Sequence, residues 1–383
     1  MQHVTVYRDK ERFAGWPANY GIWSWGDEIV VGFTAGFHRL GTGFHTQDRD
    51  RPFEPMQARS LDGGLTWEVQ PTPCRMPGNR GFSADEHVNA EWKVAPVLNA
   101  VNAPIPCPGG IDFTHPDFAL MIARTGLGGG AVSWFYISYD RCHAWEGPYR
   151  LPTFGEAGVD GRTDYQVLGR NDCLLFLSAG QVSGHEGGTF CARTRDGGRT
   201  FEWVSWVVAS PLEGFAIMPA SVRLPSLPDA GTRSRFGGSG RDSASRLLVA
   251  IRCAERVPHF YPGVQNWIDL YASKNDGATW QFVGRPVADT GCGGNPATLT
   301  RLHDGRLCLI YGYRNPPYGM RARLSNDRGE SWSDEIVLRA DAGDFDIGYP
   351  RTVLRPDATV VMVYYYNDHP QTARFIAATL WKP

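Results

Sequence analysis

No stretch of this 383-residue chain stays apolar for the roughly 18 residues a membrane-spanning helix needs, so no membrane partner is expected. Neither sign of charge prevails. Lys and Arg number 38 against 40 Asp and Glu, which gives no global pull toward nucleic acid. The eight cysteines are scattered, with no C-x-x-C pair. Cys173, Cys191 and Cys308 fall in apolar runs and read as buried free thiols. There is no H-E-x-x-H, no Cys/His ligand spacing, no P-loop and no dinucleotide fingerprint, so no metal and no cofactor are expected. The opening Met-Gln-His-Val-Thr-Val-Tyr has no basic region followed by an apolar one. A cytoplasmic protein is expected, or a periplasmic or secreted one if a leader was removed. A sustained helical period is also missing.

What is present is a repeated turn. Ser60-Leu-Asp62-Gly-Gly64-Leu-Thr66-Trp67 recurs as Ser138-Tyr-Asp140-Arg-Cys-His-Ala144-Trp145, Thr194-Arg-Asp196-Gly-Gly198-Arg-Thr200-Phe201, Ser273-Lys-Asn275-Asp-Gly277-Ala-Thr279-Trp280 and Ser325-Asn-Asp327-Arg-Gly329-Glu-Ser331-Trp332. The template S-x-D-x-G-x-T-W suits a hairpin: the Asp accepts backbone N–H bonds and the Gly supplies positive φ. Alternating apolar runs flank each copy, among them Ile29-Val-Val-Gly-Phe33, Leu247-Leu-Val-Ala-Ile251 and Val360-Val-Met-Val-Tyr364. Gly (45) and Pro (27) are frequent, as many short strands joined by tight turns require.

Five turns in register imply a repeat architecture. The chain divides into six stretches whose inner strands begin at Asn19-Tyr-Gly-Ile22, Thr114-His-Pro-Asp117, Arg162-Thr-Asp-Tyr165, Met218-Pro-Ala-Ser221, Gly294-Asn-Pro-Ala297 and Gly348-Tyr-Pro-Arg351. Six units of four antiparallel strands predict an all-β, six-bladed β-propeller spanning 1–383 as one domain. Val4–Tyr7 is expected to close the ring against the last blade. Gly231–Gly240, low in complexity, reads as a mobile surface loop.

In a propeller the ends of the second strands gather around one funnel. Here they carry Arg124, Arg252 and Arg314, and the blade-six start adds Arg351. Clustered guanidiniums suit a bound carboxylate. Tyr349, beside them, is a candidate nucleophile or proton donor. The blade-one loop holds Asp48 as the first candidate acid or base, with His45 and Asp50 as substitutes. His115 and Asp164 stand at inner-strand starts. Each either meets a substrate hydroxyl, takes part in proton transfer, or is a buried polar group satisfied by a neighbouring blade. Asn295 is a candidate hydroxyl ligand.

The five turns on six blades resemble the sialidase (neuraminidase) superfamily of BNR/Asp-box proteins. That resemblance implies three arginines on a carboxylate, a tyrosine nucleophile helped by a glutamate, and an aspartate acid/base. The second family arginine matches Arg252 and the third Arg314. The nucleophile matches Tyr349 in Gly348-Tyr-Pro-Arg351, and the acid/base has a counterpart around Asp48. The pattern departs at two places. Gly21 stands where the first arginine belongs, and Ile217-Met-Pro-Ala220 carries no helper carboxylate. Arg351 or Arg124 is then the candidate to complete the clamp, and Asp164 or His115 the candidate partner of the tyrosine. The resemblance implies an exo-glycosidase acting on a terminal acidic sugar of a glycan. A uronate-directed lyase using His45, His115 and Tyr349, and a carbohydrate-binding propeller without turnover, stay open, as does the oligomeric state.

Overall fold

The computed structural model describes residues 1–40, 45–76, 103–211, 213–226, 245–258 and 263–383. The expected loop 231–240 therefore lies outside the described residues, as does Phe44 at the head of the blade-one loop.

Each alternating run forms a strand, and the strands group into six antiparallel sheets around an axis. Blade one is ordered Ala14–Gly15 with Ile22–Trp25, then Glu28–Ala35, Glu54–Ser60 and Glu68–Pro71. The described part of blade two is Ala119–Arg124, Ser133–Ser138 and Glu146–Arg150. Blade three runs Gly158–Val159 with Tyr165–Gly169, then Asp172–Gly180, Glu186–Thr194 and Glu202–Val208. Blade four has Phe215–Leu224, Arg246–Ala254, Asn266–Ser273 and Gln281–Val287. Blade five has Ala297–Arg301, Leu307–Tyr313, Gly319–Ser325 and Ile336–Arg339. In blade six, Gly348–Leu354, Val360–Tyr366 and Phe375–Trp381 are completed from the other end of the chain by Gln2–Tyr7. Val4 pairs with Ala378 and Gln2 with Leu380, which covers the last sheet's edge.

The second strands are the most apolar because both of their faces are covered by neighbouring blades. Ala119–Arg124 and Val360–Tyr366 are buried at every residue. All eight cysteines are free, and Cys173, Cys191 and Cys308 are buried as the apolar runs imply. Among the described residues, no helix is long and apolar enough to cross a membrane.

The five turns share one hydrogen-bond pattern. The first-position hydroxyl accepts the N–H four residues on, at 2.8–2.9 Å in all five, from Ser60 with Gly64 to Ser325 with Gly329. The third-position side chain accepts the N–H four residues beyond it, at 2.9–3.0 Å. The glycine sits where the turn meets the next sheet. At Gly329, φ is +95° and a Cβ would lie 2.7 Å from Leu270 of blade four. Hydrogen bonds from the Thr66 hydroxyl and N–H hold the Asp62 carboxyl down at about 2. Asp62→Ala removes the acceptor of four N–H and O–H donors. It should cost about 1–2 kcal/mol of unfolding free energy, read as a lower urea midpoint. An unchanged midpoint would mean that the turn is held by its neighbours alone.

These turns join third to fourth strands, so they occupy one face. The second strands end on the other, at Ala35, Arg124, Gly180, Ala254, Tyr313 and Tyr366. That second face carries the candidate site.

Candidate active site

The inner strands break where they reach this face. Trp16-Pro17, Met218-Pro219 and Tyr349-Pro350 each place the residue before proline at positive φ, namely 60°, 54° and 51°. Proline has no N–H for the ladder, and the residue before it is barred from the right-handed helical region. Pairing slips accordingly between Ile217 and Ala220 and between Gly348 and Arg351. The slip in blade six turns Tyr349 toward blade four. There Arg252 Nη1 donates to the Tyr349 hydroxyl at 3.1 Å. The guanidiniums of Arg252 and Arg314 lie 5.7 and 5.6 Å from the Tyr349 ring centre.

The two arginines do different work. Arg314 is buried and donates to Ile347 O at 3.0 and 2.9 Å, to Gly294 O at 2.9 Å and to the Tyr365 hydroxyl at 2.6 Å. It clamps the chain that leads into Tyr349. Arg252 donates to Gly293 O at 2.6 Å and to the tyrosine, and its Nε has no hydrogen-bond partner among the described residues. Arg351 crosses the axis to donate to Ala18 O at 2.6 Å and Thr163 O at 2.7 Å, and its Nε is likewise unpartnered. Below it lies an axial cavity of about 330 Å³, lined by Ile22, Trp23, Asp164, Ser221, Thr298 and Arg351 among others.

A second group of charges stands on the blade-three side. Arg162 Nη2 donates to Glu186 at 2.6 Å and Nε to Asn19 at 3.3 Å, while Nη1 lies 3.7 Å from Asp160. Burial alone would lower the Arg162 pKa. Glu186, Asp160 and the Tyr349 phenol together raise it, so this guanidinium lies in the field of both carboxyls and the phenol. Burial pushes the Asp160 carboxyl up to about 7. Glu186 adds to the rise, and Arg162 and Arg124 oppose it.

No protein-family model matches the chain, and no curated protein matches it in sequence. Its similarity to solved structures is one of fold. A protein of unknown function from Dyadobacter fermentans superimposes with a TM-score of 0.68 at 19% identity, over 99% of this chain and 97% of that one. The GH93 α-L-arabinofuranosidase of Fusarium graminearum gives 0.55 at 12%, over 100% and 98%. Trypanosoma rangeli sialidase gives 0.52 at 10%, over 99% of this chain and 55% of that longer one. The fold is that of the sialidase-like propellers.

In this sialidase-like propeller the expected site residues separate into four groups. Tyr349, Arg252 and Arg314 come together at the floor, and Arg351, on the same strand as Tyr349, reaches instead to Ala18 and Thr163. Arg124 stands apart on the blade-two side, buried, within the field of Asp160. His45 reaches the site from the side. Its Nδ1 is 2.7 Å from Asp346, which also accepts the Tyr365 hydroxyl at 2.7 Å and Arg374 Nε at 2.9 Å. The other candidates take structural positions. Asp48 lies in a rim turn, where it accepts its own loop's Arg39 at 3.3 Å and the Asp50 N–H at 3.0 Å. His115 is in a turn, not an inner strand. It packs 5.1 Å from Tyr139 at the end of the blade remote from Arg124, on the face of the repeated turns. Asp164 accepts the Ser221 N–H at 2.9 Å and the Ser221 hydroxyl. Burial pushes its carboxyl up to about 6, against Arg351 and the Ser221 bonds. Asn295 is fully buried and braces the floor. Its Oδ1 accepts the Tyr349 N–H and its Nδ2 donates to Ile347 O, both at 2.8 Å. It packs so closely that a Cβ on Gly348, at φ +106°, would fall 2.3 Å from it.

Two expected strand starts are also corrected. Blade one begins at Ala14, and its counterpart of Tyr349-Pro350 is Trp16-Pro17 rather than a position near Gly21. Blade three begins at Gly158, which brings Asp160 into the site ahead of the expected start at Arg162. A signal for the first was present: Gly15-Trp-Pro-Ala18, Ile217-Met-Pro-Ala220, Gly294-Asn-Pro-Ala297 and Gly348-Tyr-Pro-Arg351 repeat an X-Pro step. Asp160, Arg162 and Glu186 carry no such mark.

Proposed function

We propose that this protein is an exo-acting glycoside hydrolase that removes a terminal acidic sugar, sialic acid or a related one, from a glycan, with Tyr349 as nucleophile. The supporting observation is the Tyr349 hydroxyl held at 3.1 Å by the buried Arg252 on the floor of the site. A cation at that distance stabilises the phenolate that attacks the anomeric carbon. Two displacements at that carbon give net retention. The unpartnered Nε–H groups of Arg252 and Arg351 are the donors a sugar carboxylate would take. Arg314 is fully engaged with backbone carbonyls and Tyr365, so the clamp differs from the three-arginine pattern. The solved neighbours named for sialidase and α-L-arabinofuranosidase activity support hydrolysis of a glycan on this scaffold.

One observation favours a second reading. His45 is oriented by the buried Asp346, an arrangement that suits a base removing a proton beside a uronate carboxylate. That is lyase chemistry, with no glycosyl-enzyme.

A panel separates the two. The protein is incubated with 4-methylumbelliferyl glycosides of sialic acid, glucuronic acid and α-L-arabinofuranose, and with uronate polysaccharides followed by ultraviolet absorbance. Fluorophore release from an acidic glycoside is the expected result. Release from the arabinofuranoside alone would retain hydrolysis and discard the acidic sugar. An unsaturated product chromophore would establish the lyase.

A further inference from the structure

The hydrolase reading leaves the leaving-group proton without a carboxylic-acid donor, because Asp48 is held in the rim turn by Arg39 and Asp50. We propose that Asp160 of blade three gives that proton and takes it back, with Arg162 and Glu186 positioning it. This rests on the hydrolase reading and completes it.

Position is the first argument. Asp160 is the residue at which the inner strand of blade three breaks off, between Gly158–Val159 and Tyr165–Gly169. Its N–H donates to Ser178 O at 3.0 Å, which anchors the backbone at the level where the second strand reaches the site. Arg162 ties this stretch to the axis: its Nε donates to Asn19 at 3.3 Å, and the O of the next residue, Thr163, accepts Arg351 Nη2 at 2.7 Å.

The second argument is the unequal sharing of that cation. Glu186 takes the short bond from Arg162, at 2.6 Å, and Asp160 is left at 3.7 Å. One guanidinium neutralises one carboxylate well. The carboxylate with the short bond holds the guanidinium, and the other is the cheaper one to keep protonated. Asp160 is fully buried, and neither of its oxygens makes a hydrogen bond of ordinary geometry among the described residues. An ionised carboxylate in that position is costly; a neutral acid is much less so. The charged groups facing it are Arg162, Arg124 and Glu186, with the Gly128 N–H beside them, and their balance leaves the group titrating near neutrality. The glycine-rich hairpin around Gly128 packs on the same stretch, with Gly130 N–H donating to Ala157 O at 2.8 Å.

The chemistry balances. In the first step the Tyr349 phenolate forms a bond to the anomeric carbon. The glycosidic C–O bond breaks, and the departing oxygen takes the Asp160 proton. In the second, water attacks the anomeric carbon, its proton passes to the Asp160 carboxylate, and the phenolate leaves.

The test compares wild type, Asp160→Asn, Asp160→Glu and Glu186→Gln on aryl glycosides of one sugar with good and poor leaving groups. Thermal melts confirm that each variant is folded. Asp160→Asn should lose about 10²–10³-fold in rate with a poor leaving group and under about 10-fold with a dinitrophenol. Asp160→Glu should recover part of the loss. The wild-type alkaline limb near neutrality should vanish in Asp160→Asn. It should move to lower pH in Glu186→Gln, because the charge that helps to raise the acid is gone. Equal losses for both leaving groups, or none, in an active enzyme would overturn this inference alone. A wild type inert on every glycoside would overturn the hydrolase reading and this inference with it. Carbon-13 carboxyl titration supplies a readout independent of turnover: a carboxyl ionising near 7 should be missing from Asp160→Asn, and ionisation of Asp160 in the ordinary range near 4 would overturn the proposal.

Discussion

Tyr349→Phe should lower kcat by at least about 10³-fold on any substrate the wild type cleaves, while the fold survives. The variant removes one oxygen. Arg252 loses its 3.1 Å partner but keeps Gly293 O at 2.6 Å and Met218 Sδ at 3.5 Å. The ring keeps its packing against Tyr365 and its N–H bond to Asn295. The structural cost is therefore one charge-assisted hydrogen bond, about 1–3 kcal/mol. The chemical cost is the attacking atom itself. Steady-state rates and thermal melts taken together decide the matter. A variant that turns over at the wild-type rate removes Tyr349 from the reaction, whatever its melting temperature. A rate loss matched by a collapsed melt would say that the phenol is a strut, and Tyr349→Trp or His would then fare no better than Phe.

What could be read from the chain depended on how far apart the interacting residues are. Each repeated turn closes on itself within eight residues, and its hydroxyl and carboxylate bonds span only four, as from Ser60 to Gly64 and Asp62 to Thr66. The residues that make the turn are the residues that announce it, and five copies carry the propeller with them. Tyr349 and Arg252 were legible for a related reason. Their place in the repeat fixes which end of which strand they occupy, and the fold brings the ends together. The use made of each guanidinium was not legible. Whether Arg314 faces a ligand or a carbonyl depends on Ile347 and Gly294, which the ring brings in from the neighbouring blade and the preceding loop. Asn295, a candidate hydroxyl ligand from its place in the repeat, is likewise taken up by neighbours 53 and 54 residues on, Gly348 and Tyr349. His115 failed for a simpler reason. An inner-strand position would face the axis, but Thr114–Asp117 is the turn leading into the second strand. One step along the strand order moves a side chain to the opposite face of the molecule. Asp160 has no repeat partner among the described residues: the breaks at Trp16-Pro17, Met218-Pro219 and Tyr349-Pro350 carry no carboxylate.

The largest effect on stability is expected at Asp346. This carboxylate is fully buried and accepts His45, Tyr365 and Arg374, and through Tyr365 it is linked to Arg314. Asp346→Ala would leave Arg374, itself buried, with Asp344 at 2.7 Å as its one carboxylate among the described residues, beside the carbonyls of Pro370 and Thr372. Breaking a buried ion pair from one side costs about 3–5 kcal/mol, and the loss should appear as a lower urea midpoint with an unchanged slope. The same residue sets an acid limb. Burial alone would raise its pKa, but His45, Arg374 and Arg314 together hold it well below the usual carboxylate range. A carboxyl with a depressed folded value stabilises the native state fully above its unfolded value, about 4, and loses that contribution as pH falls below it. Wild type should therefore weaken as the solution is taken from about pH 5 toward pH 3, and Asp346→Asn, which has no proton to gain there, should weaken less. The gap between the two narrows toward acid. Parallel curves over that interval would mean that Asp346 does not carry the charge on which the clamp beneath Tyr349 depends. Arg314 would then hold Ile347 through its own carbonyl bonds alone.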